Sequence, residues 1–318
     1  MGRVFLCIVR MITNAHARLK RPTVLHCLAE TILVAVRMFM RRFWIGIITL
    51  IVLLSGCDAQ QFLATPKPGS SNNSNQPQAE VNHMALGNPS GALPETSSSD
   101  NYLIQRPEYS LAYNRKLNIL NWVSWHLDIG DLGNTDRSQF TTDPDLPEGW
   151  YRVKPTDYTN SGYDRGHMLP SADRTASESI NRSVFYMTNI VPQAPDNNQG
   201  PWKEFEDYCR DLVRDGKQLY LIAGPEGSDG SIGDPKIRVP KYVWKIALVL
   251  DANDQISDIN RNTEVIALRM PNRDGIRDKD WRDYIVSVAT IEEKTKYTFF
   301  TNLSSELQNS LKQKVATP

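Results

Sequence analysis

Tyr163-Asp164-Arg165-Gly166-His167-Met168-Leu169-Pro170-Ser171-Ala172-Asp173-Arg174 sets a histidine among charged residues and a glycine. A neutral imidazole, with an ordinary pKa of about 6.5, accepts a proton from water at neutral pH, and catalysis needs its ring steered by a neighbour. Asp164 precedes His167 by three positions, and Gly166 allows a turn between them. The signal is weak alone, because a histidine beside an aspartate equally makes a structural hydrogen bond. The segments that follow shift the balance. Val184 to Gln193 is an apolar run ending near a proline and reads as a strand. Ala194 to Pro201 is too rich in proline and asparagine for a sheet and stands directly before a helix expected from Trp202 to Asp215. In that helix Phe205, Cys209, Leu212 and Val213 fall on one stripe at i, i+4, i+7 and i+8, and Gly216 ends it. Glu206 and Arg210 are i, i+4 neighbours beside the stripe, by default a surface ion pair worth about 0.2–0.5 kcal/mol. Cys209 reads as a small buried hydrophobe.

Upstream, Tyr102 to Arg106, Tyr109 to Tyr113 and Asn121 to Leu127 read as strands that open an antiparallel sheet. Alternation puts Val123, Trp125 and Leu127 on one face and Trp122, Ser124 and His126 on the other, so His126 is expected at an exposed or edge position. Gly130 to Gly149 is a long polar loop; such loops are uncommon in compact domains and often functional, which makes Arg137 a candidate. Downstream, Leu219 to Ala223, Val243 to Leu250, Val265 to Arg269 and Trp281 to Val288 read as further strands, with helical pieces near Ile291 to Thr295 and Ser304 to Lys314. The fold class is α+β.

The whole-chain charge of zero conceals an acidic C-terminal part: from residue 101 onward 27 Lys and Arg stand against 31 Asp and Glu, leaving −4. That excludes a protein gripping nucleic acid by a global basic footprint, so any polyanion must be met locally. Of the four cysteines, only Cys209 lies in this part, which excludes an intramolecular disulfide there. With only His126 and His167 beside it, the usual Cys/His-rich zinc sites are excluded too, leaving only a carboxylate-rich one.

The N-terminal region has a different logic. Arg41-Arg42 followed by the apolar run Phe43 to Gly56 has the plan of a signal peptide and is short for a membrane span of about 20 residues. Leu54-Ser55-Gly56-Cys57 resembles a bacterial lipobox, which implies acylation of Cys57 and export to a membrane surface facing the periplasm or exterior; an uncleaved anchor helix or plain secretion are the alternatives. Charged residues interrupt every earlier apolar run, so Met38 or Met40 is the expected start. The expected organisation is a leader over 1–57, a Ser/Asn/Pro/Gln-rich disordered tether over 58–100, and a folded domain over 101–318.

Asp164-Arg165-Gly166-His167, Leu132-Gly133-Asn134-x-x-Arg137, Pro170 to Arg174, Met187-Thr188-Asn189, Pro192-Gln193, Pro195-Asp196-Asn197-Asn198 and the Glu206/Arg210 pair together resemble the sugar-non-specific DNA/RNA endonucleases of the Serratia type, most of all the cyanobacterial secreted nucleases. The resemblance runs from Asn101 to the C-terminus. It implies a ββα-metal (His-Me finger) fold, with a mixed, mainly antiparallel sheet and flanking helices. His167 is implied as general base within a catalytic set that includes Asp164, Asn198 as metal ligand, and Glu206 as holder of metal-bound water. Arg137 and Arg210 are implied at the phosphate, with Arg165 and Arg174 as further substrate contacts. The implied cofactor is Mg²⁺, with Mn²⁺ as alternative, the substrates are DNA and RNA, and a cytosolic protein inhibitor is an implied partner. The loop after Arg137 is a residue shorter than the pattern, and Gly200-Pro201 departs from it at the helix start. The reading from another class is a surface-tethered lipoprotein that binds nucleic acid without cleaving it; intact His167, Asn198 and Glu206 argue against it.

Overall fold

A computed structural model describes residues 82–318. Its strands, in chain order, are β1 (Tyr102–Arg106), β2 (Tyr109–Asn114), β3 (Ile119–Leu127), β4 (Asp164–His167), β5 (Ile190–Gln193), β6 (Lys217–Glu226), β7 (Ser231–Ile232), β8 (Ile237–Arg238), β9 (Tyr242–Asp251), β10 (Glu264–Pro271) and β11 (Ile285–Val286). The helices are α1 (Glu178–Ser183), α2 (Pro195–Asn198), α3 (Pro201–Arg214), α4 (Val288–Thr295) and α5 (Ser305–Lys312). Seven strands form one antiparallel sheet in the order β1-β2-β3-β6-β9-β10-β11, while β4 pairs with β5 in a ribbon of its own. Because β3 and β6 are neighbours, everything between Leu127 and Lys217 is an excursion from the sheet, and that excursion carries β4, β5 and α1 to α3.

Both faces of the sheet are covered. Val123, Trp125, Leu127, Leu221, Ala247 and Leu268 pack under the excursion, against Trp202, Phe205, Cys209 and Val213 of α3. Trp122, Ile222, Trp244, Ile246 and Leu248 pack on the other side with Val288, Ile291, Phe299, Phe300 and Leu311. Fully burying side chains of this size contributes about 1.5–3 kcal/mol each, so α3 is anchored chiefly by its stripe. That stripe is close to the expected one: Phe205, Cys209 and Val213 are buried, Leu212 is half-buried, and Trp202 extends the stripe at the N-terminal end.

The structure corrects four expectations. Residues 82–100, assigned above to the tether, pack on the sheet: His83, Leu86 and Ala92 are buried, the Ser124 hydroxyl donates to the His83 carbonyl at 2.6 Å, and the Trp122 indole N–H donates to Ser90 at 2.7 Å. A segment with few apolar groups is held here by hydrogen bonds to polar side chains of the facing strand. His126 is consequently buried rather than exposed, its Nε2 2.7 Å from the Gln218 amide oxygen and its ring 4.8 Å from that of Tyr220. Trp281 to Val288 is a 3-10 turn over Trp281–Tyr284 followed by a two-residue strand, and Val184 to Gln193 is a strand only over Ile190–Gln193, preceded by a 3-10 turn over Met187–Asn189. The leader, Cys57 and most of the tether lie outside the described residues.

Candidate active site

Asp164-Arg165-Gly166-His167 is strand β4, so the turn expected at Gly166 is absent; Gly166 faces Val191 in the ladder. The glycine serves close approach, since a Cβ there would stand 2.0 Å from Oε1 and 2.4 Å from Cβ of Gln193. Alternation along a strand sends Asp164 and His167 to opposite faces, so the aspartate does not steer the imidazole. The ring is set by packing instead: its centroid is 5.1 Å from that of Phe140 and 4.8 Å from that of Phe185, the latter edge-on. The backbone carbonyl of His167 accepts the indole N–H of Trp202 at 3.3 Å, which ties the strand to the first turn of α3. Nε2 is buried with no partner among the described residues. That leaves Nδ1 as the nitrogen with access to the groove that His167 lines. Burial, reinforced by the nearby Arg137 guanidinium, pulls the His167 pKa down to about 3, so the ring is neutral at any ordinary pH.

From β5 the chain turns through α2, with Pro195 at its first position, and reaches Asn198 at its end. Gly200 then joins α2 to α3 where a Cβ would meet the carbonyl oxygens of Arg277 and Asp196 at 2.4 and 2.6 Å. Asp164 accepts two amide hydrogens on one oxygen, from Asn198 Nδ2 at 2.9 Å and from Gln199 Nε2 at 2.8 Å. A carboxylate only accepts, so the Asn198 amide must present its NH₂ to Asp164 and direct its carbonyl oxygen elsewhere. Asp164 is therefore a partner of Asn198, not of His167.

On α3, Glu206 and Arg210 do not pair with each other. Glu206 Oε1 accepts from Lys245 Nζ at 2.8 Å, and Arg210 donates to Asp173 at 2.8 Å and to Asp207. Burial raises the Glu206 pKa, opposed by the charges of Lys245 and Arg210. Arg210 is itself nearly buried, so it borders the groove with its charge already compensated. Arg165 donates to the Pro155 carbonyl at 3.1 and 2.9 Å and lies over the Phe140 ring at 5.5 Å. Arg137 alone of these arginines is exposed and holds no acceptor among the described residues; it lies 5.4 Å over Phe185, the ring that also flanks His167.

Arg137, Arg165, His167, Asn198, Glu206 and Arg210 line one groove of about 310 Å³. Arg174 is not among them. It is buried, ion-paired with Asp131 at 3.2 Å, and donates to the carbonyls of Glu108, His126 and Asp173 at 3.1 Å or less. The expectation of a substrate contact is corrected: Arg174 fastens the excursion to the sheet. Arg174→Ala leaves Asp131 and the three carbonyls uncompensated, and is expected to cost about 3–5 kcal/mol of stability by urea unfolding.

The donor set suits a hard divalent cation. Asp207 also lines the groove but already receives Lys203 and Arg210, which leaves the neutral Asn198 amide oxygen and the Glu206 carboxylate, a small oxygen set that matches an ion keeping most of its ligands as water. The one His/Asp grouping within ligating distance among the described residues, His126, Asp128 and Asp131, lies outside the groove, and Arg174 already compensates Asp131. Sequence reasoning missed Lys245, Phe140 and Phe185. For Lys245 the available signal was a lone charge at an inward position of the apolar run Val243 to Leu250.

A histidine strand, its paired strand and a helix that meet at an oxygen-donor groove define a nuclease of the ββα-metal class. The sequence profile of the DNA/RNA non-specific endonucleases matches residues 88–306, and the chain belongs to this family. It is similar to a nuclease of Nostoc sp., 45% identical over 273 residues, which span 85% of this chain and 97% of the relative. It is also similar to nuclease C1 of Cunninghamella echinulata var. echinulata, 29% identical over 217 residues, 63% of this chain and 83% of that one. Its fold is shared with a chain in the crystal structure of the EndoG/EndoGI complex, with a TM-score of 0.61 and 23% identity, covering 71% of this chain and 92% of the other. The protein is thus a metal-dependent endonuclease that acts on nucleic acid.

Arg137→Ala is expected to lower kcat on plasmid DNA by about 10²–10³-fold, the usual effect of removing one donor aimed at developing charge, with little change in KM. Steady-state kinetics decide it; a rise confined to KM makes Arg137 a docking residue.

Proposed function

We propose that the groove hydrolyses phosphodiester bonds of DNA and RNA by adding water to phosphorus in line with the leaving 3′-oxygen. His167 takes the proton of the attacking water on Nδ1, and its lowered pKa keeps the ring neutral, with one nitrogen lone pair unprotonated for that purpose. Arg137 meets the charge that builds on the phosphoryl oxygens, for which its unengaged fork is suited. Asn198 would hold a single Mg²⁺, with Mn²⁺ as substitute, and Glu206 would accept hydrogen bonds beside it; when bound, the ion would supply Lewis-acid stabilisation of the phosphate and leaving oxygen. The observation that carries this reading is the Asp164–Asn198 hydrogen bond of 2.9 Å, which frees the Asn198 carbonyl oxygen in the groove that His167 also lines. Arg137 also lines a second depression of about 620 Å³, together with polar residues such as Thr135, Ser138 and Gln139, which gives a polymer room beyond the groove. Recognition through phosphate and sugar, rather than base edges, accounts for indifference to sequence.

The test is incubation of the purified protein with supercoiled plasmid and with RNA, in Mg²⁺, in Mn²⁺ and with a chelator. Cleavage of both polymers only in the presence of metal supports the reading; binding without cleavage in every condition sinks it.

The same reading includes a place of work. Export, cleavage after Gly56 and acylation of Cys57 would hold a sequence-indifferent nuclease away from the chromosome, and a cytosolic protein inhibitor would guard against enzyme not yet exported. Stable anchoring requires more than one acyl chain, as a lipoprotein cysteine carries. Mass spectrometry of the mature N-terminus and fractionation of Cys57→Ser are the measurements; an unmodified terminus downstream of Cys57 means plain secretion.

A further inference from the structure

Lys245 is a charged residue at the centre of the sheet. It stands on β9 between Val243 and Ala247 on the same core face, is 1% exposed, and its ammonium lies 4.2 Å from the ring centre of Trp202 and 5.6 Å from that of Trp125. Its one carboxylate partner is Glu206 Oε1, at 2.8 Å. The neighbouring acids have other partners: Asp173 receives Arg210 and the indole N–H of Trp125, and Asp207 receives Lys203 and Arg210. Glu206 Oε2 has no donor among the described residues, and Glu206 borders the groove.

Stability does not explain this arrangement. Sealing an ammonium and a carboxylate in an apolar layer carries a desolvation penalty that their attraction often fails to offset, and apolar residues of equal volume commonly serve as well. What a buried pair supplies is direction. The ammonium is immobilised by two indole faces, so the carboxylate that meets it is fixed in rotation and its second oxygen has one place to point.

We propose that Lys245 is a positioning residue of the nuclease reaction: from beneath the groove it pins Oε1 of Glu206 and so presents Oε2 to the groove as a fixed acceptor. This rests on the reading of the groove given above. Lys245 acts on the metal-bound water only through Glu206.

The test is a double-mutant cycle on the full chain with two readouts, Mn²⁺ affinity by calorimetry and steady-state cleavage of plasmid, with thermal unfolding to establish that each variant is folded. Lys245→Met and Glu206→Gln are each expected to weaken Mn²⁺ binding and lower kcat by about 10–100-fold, with KM nearly constant, as for partners that orient a metal's water. The double variant is expected to be no worse than the worse single one. Loss of a nearby positive charge would by itself raise Mn²⁺ affinity, so a fall marks loss of aim and not of field. Multiplicative losses, or a folded Lys245→Met with unchanged Mn²⁺ affinity and kcat, overturn the proposal. Should Lys245→Met not fold, Lys245→Gln, which removes the charge and keeps an N–H donor, is read by the same cycle. Absence of metal-dependent cleavage by the unmodified protein would sink the reading of the groove, while the Mn²⁺ arm of the cycle would still decide Lys245.

Discussion

His167→Ala lowers turnover on plasmid DNA by at least about 10²-fold and leaves Mn²⁺ affinity unchanged, because general-base contributions run at about 10²–10⁴-fold and no metal-binding group is touched. The variant should fold. Removing the ring opens a space between Phe140 and Phe185, which costs stability, and it also removes Nε2, a buried nitrogen without a partner, which offsets part of that cost. Plasmid nicking assays beside a thermal melt are the check; near-wild-type hydrolysis by the pure variant would take His167 out of the mechanism.

The same residue predicts a pH effect whose sign follows from its environment. In the folded protein His167 resists protonation down to about 3, whereas in the unfolded chain it titrates near 6.5. The unfolded state therefore binds the extra proton between those values, and stability falls as pH drops from about 6.5 toward 3; above 6.5 the group contributes nothing. His83, drawn down to about 4 chiefly by burial, acts in the same direction, so the His167 share is isolated by difference. Wild type should lose more stability than His167→Ala between pH 7 and pH 5, measured by urea midpoints. Equal losses would mean that the ring is not held neutral. Catalysis is expected to behave differently from stability, since a base that stays unprotonated keeps kcat from falling in the usual imidazole range.

Legibility in the sequence divides along a physical line. His167 stands out locally, as a histidine among charged residues beside a glycine, whereas Asn198 and Glu206 are legible as site residues only through the family resemblance, since locally one belongs to a proline-rich turn and the other to an ordinary i, i+4 ion pair. The α+β class was readable locally too: each apolar run is bounded by turn residues. Partnerships across the sheet were not. Asp164 and His167 are near in sequence, but strand alternation separates them and gives Asp164 to Asn198 at 2.9 Å. Arg174 looks like any arginine of a polar segment until the carbonyls of Glu108 and His126 are found around it. The link between His126 and the segment at His83 is equally non-local: the His126 backbone N–H donates to His83 Nδ1 at 3.2 Å, across 43 positions of sequence. Lys245 could have been flagged as a charge in an apolar strand, yet nothing local names Glu206 as its partner.

Asn198→Ala is expected to abolish metal-dependent cleavage altogether, a larger effect than the roughly 10–100-fold that follows from losing a partner outside the ligand set. The reason lies in how little of the protein reaches the cation. If one amide oxygen is the direct protein ligand, its removal leaves Glu206 to hold water around an ion that nothing fixes. Asp164 would keep Gln199 as a donor at 2.8 Å, so the turn between β5 and α3 should survive and the loss should not be one of folding. Asn198→Asp separates ligation from charge. It restores an oxygen, but sets a carboxylate where the Asn198 amide now faces Asp164, and two carboxylates sharing a site favour uptake of a proton by one of them. Activity of that variant should therefore return only as pH rises and the proton is lost, although the repulsion then left between the two groups keeps it below wild type. Calorimetric titration with Mn²⁺ and Mg²⁺ checks the first claim directly: unchanged binding by Asn198→Ala would move the metal to other ligands and leave the Asp164–Asn198 pair a structural clasp.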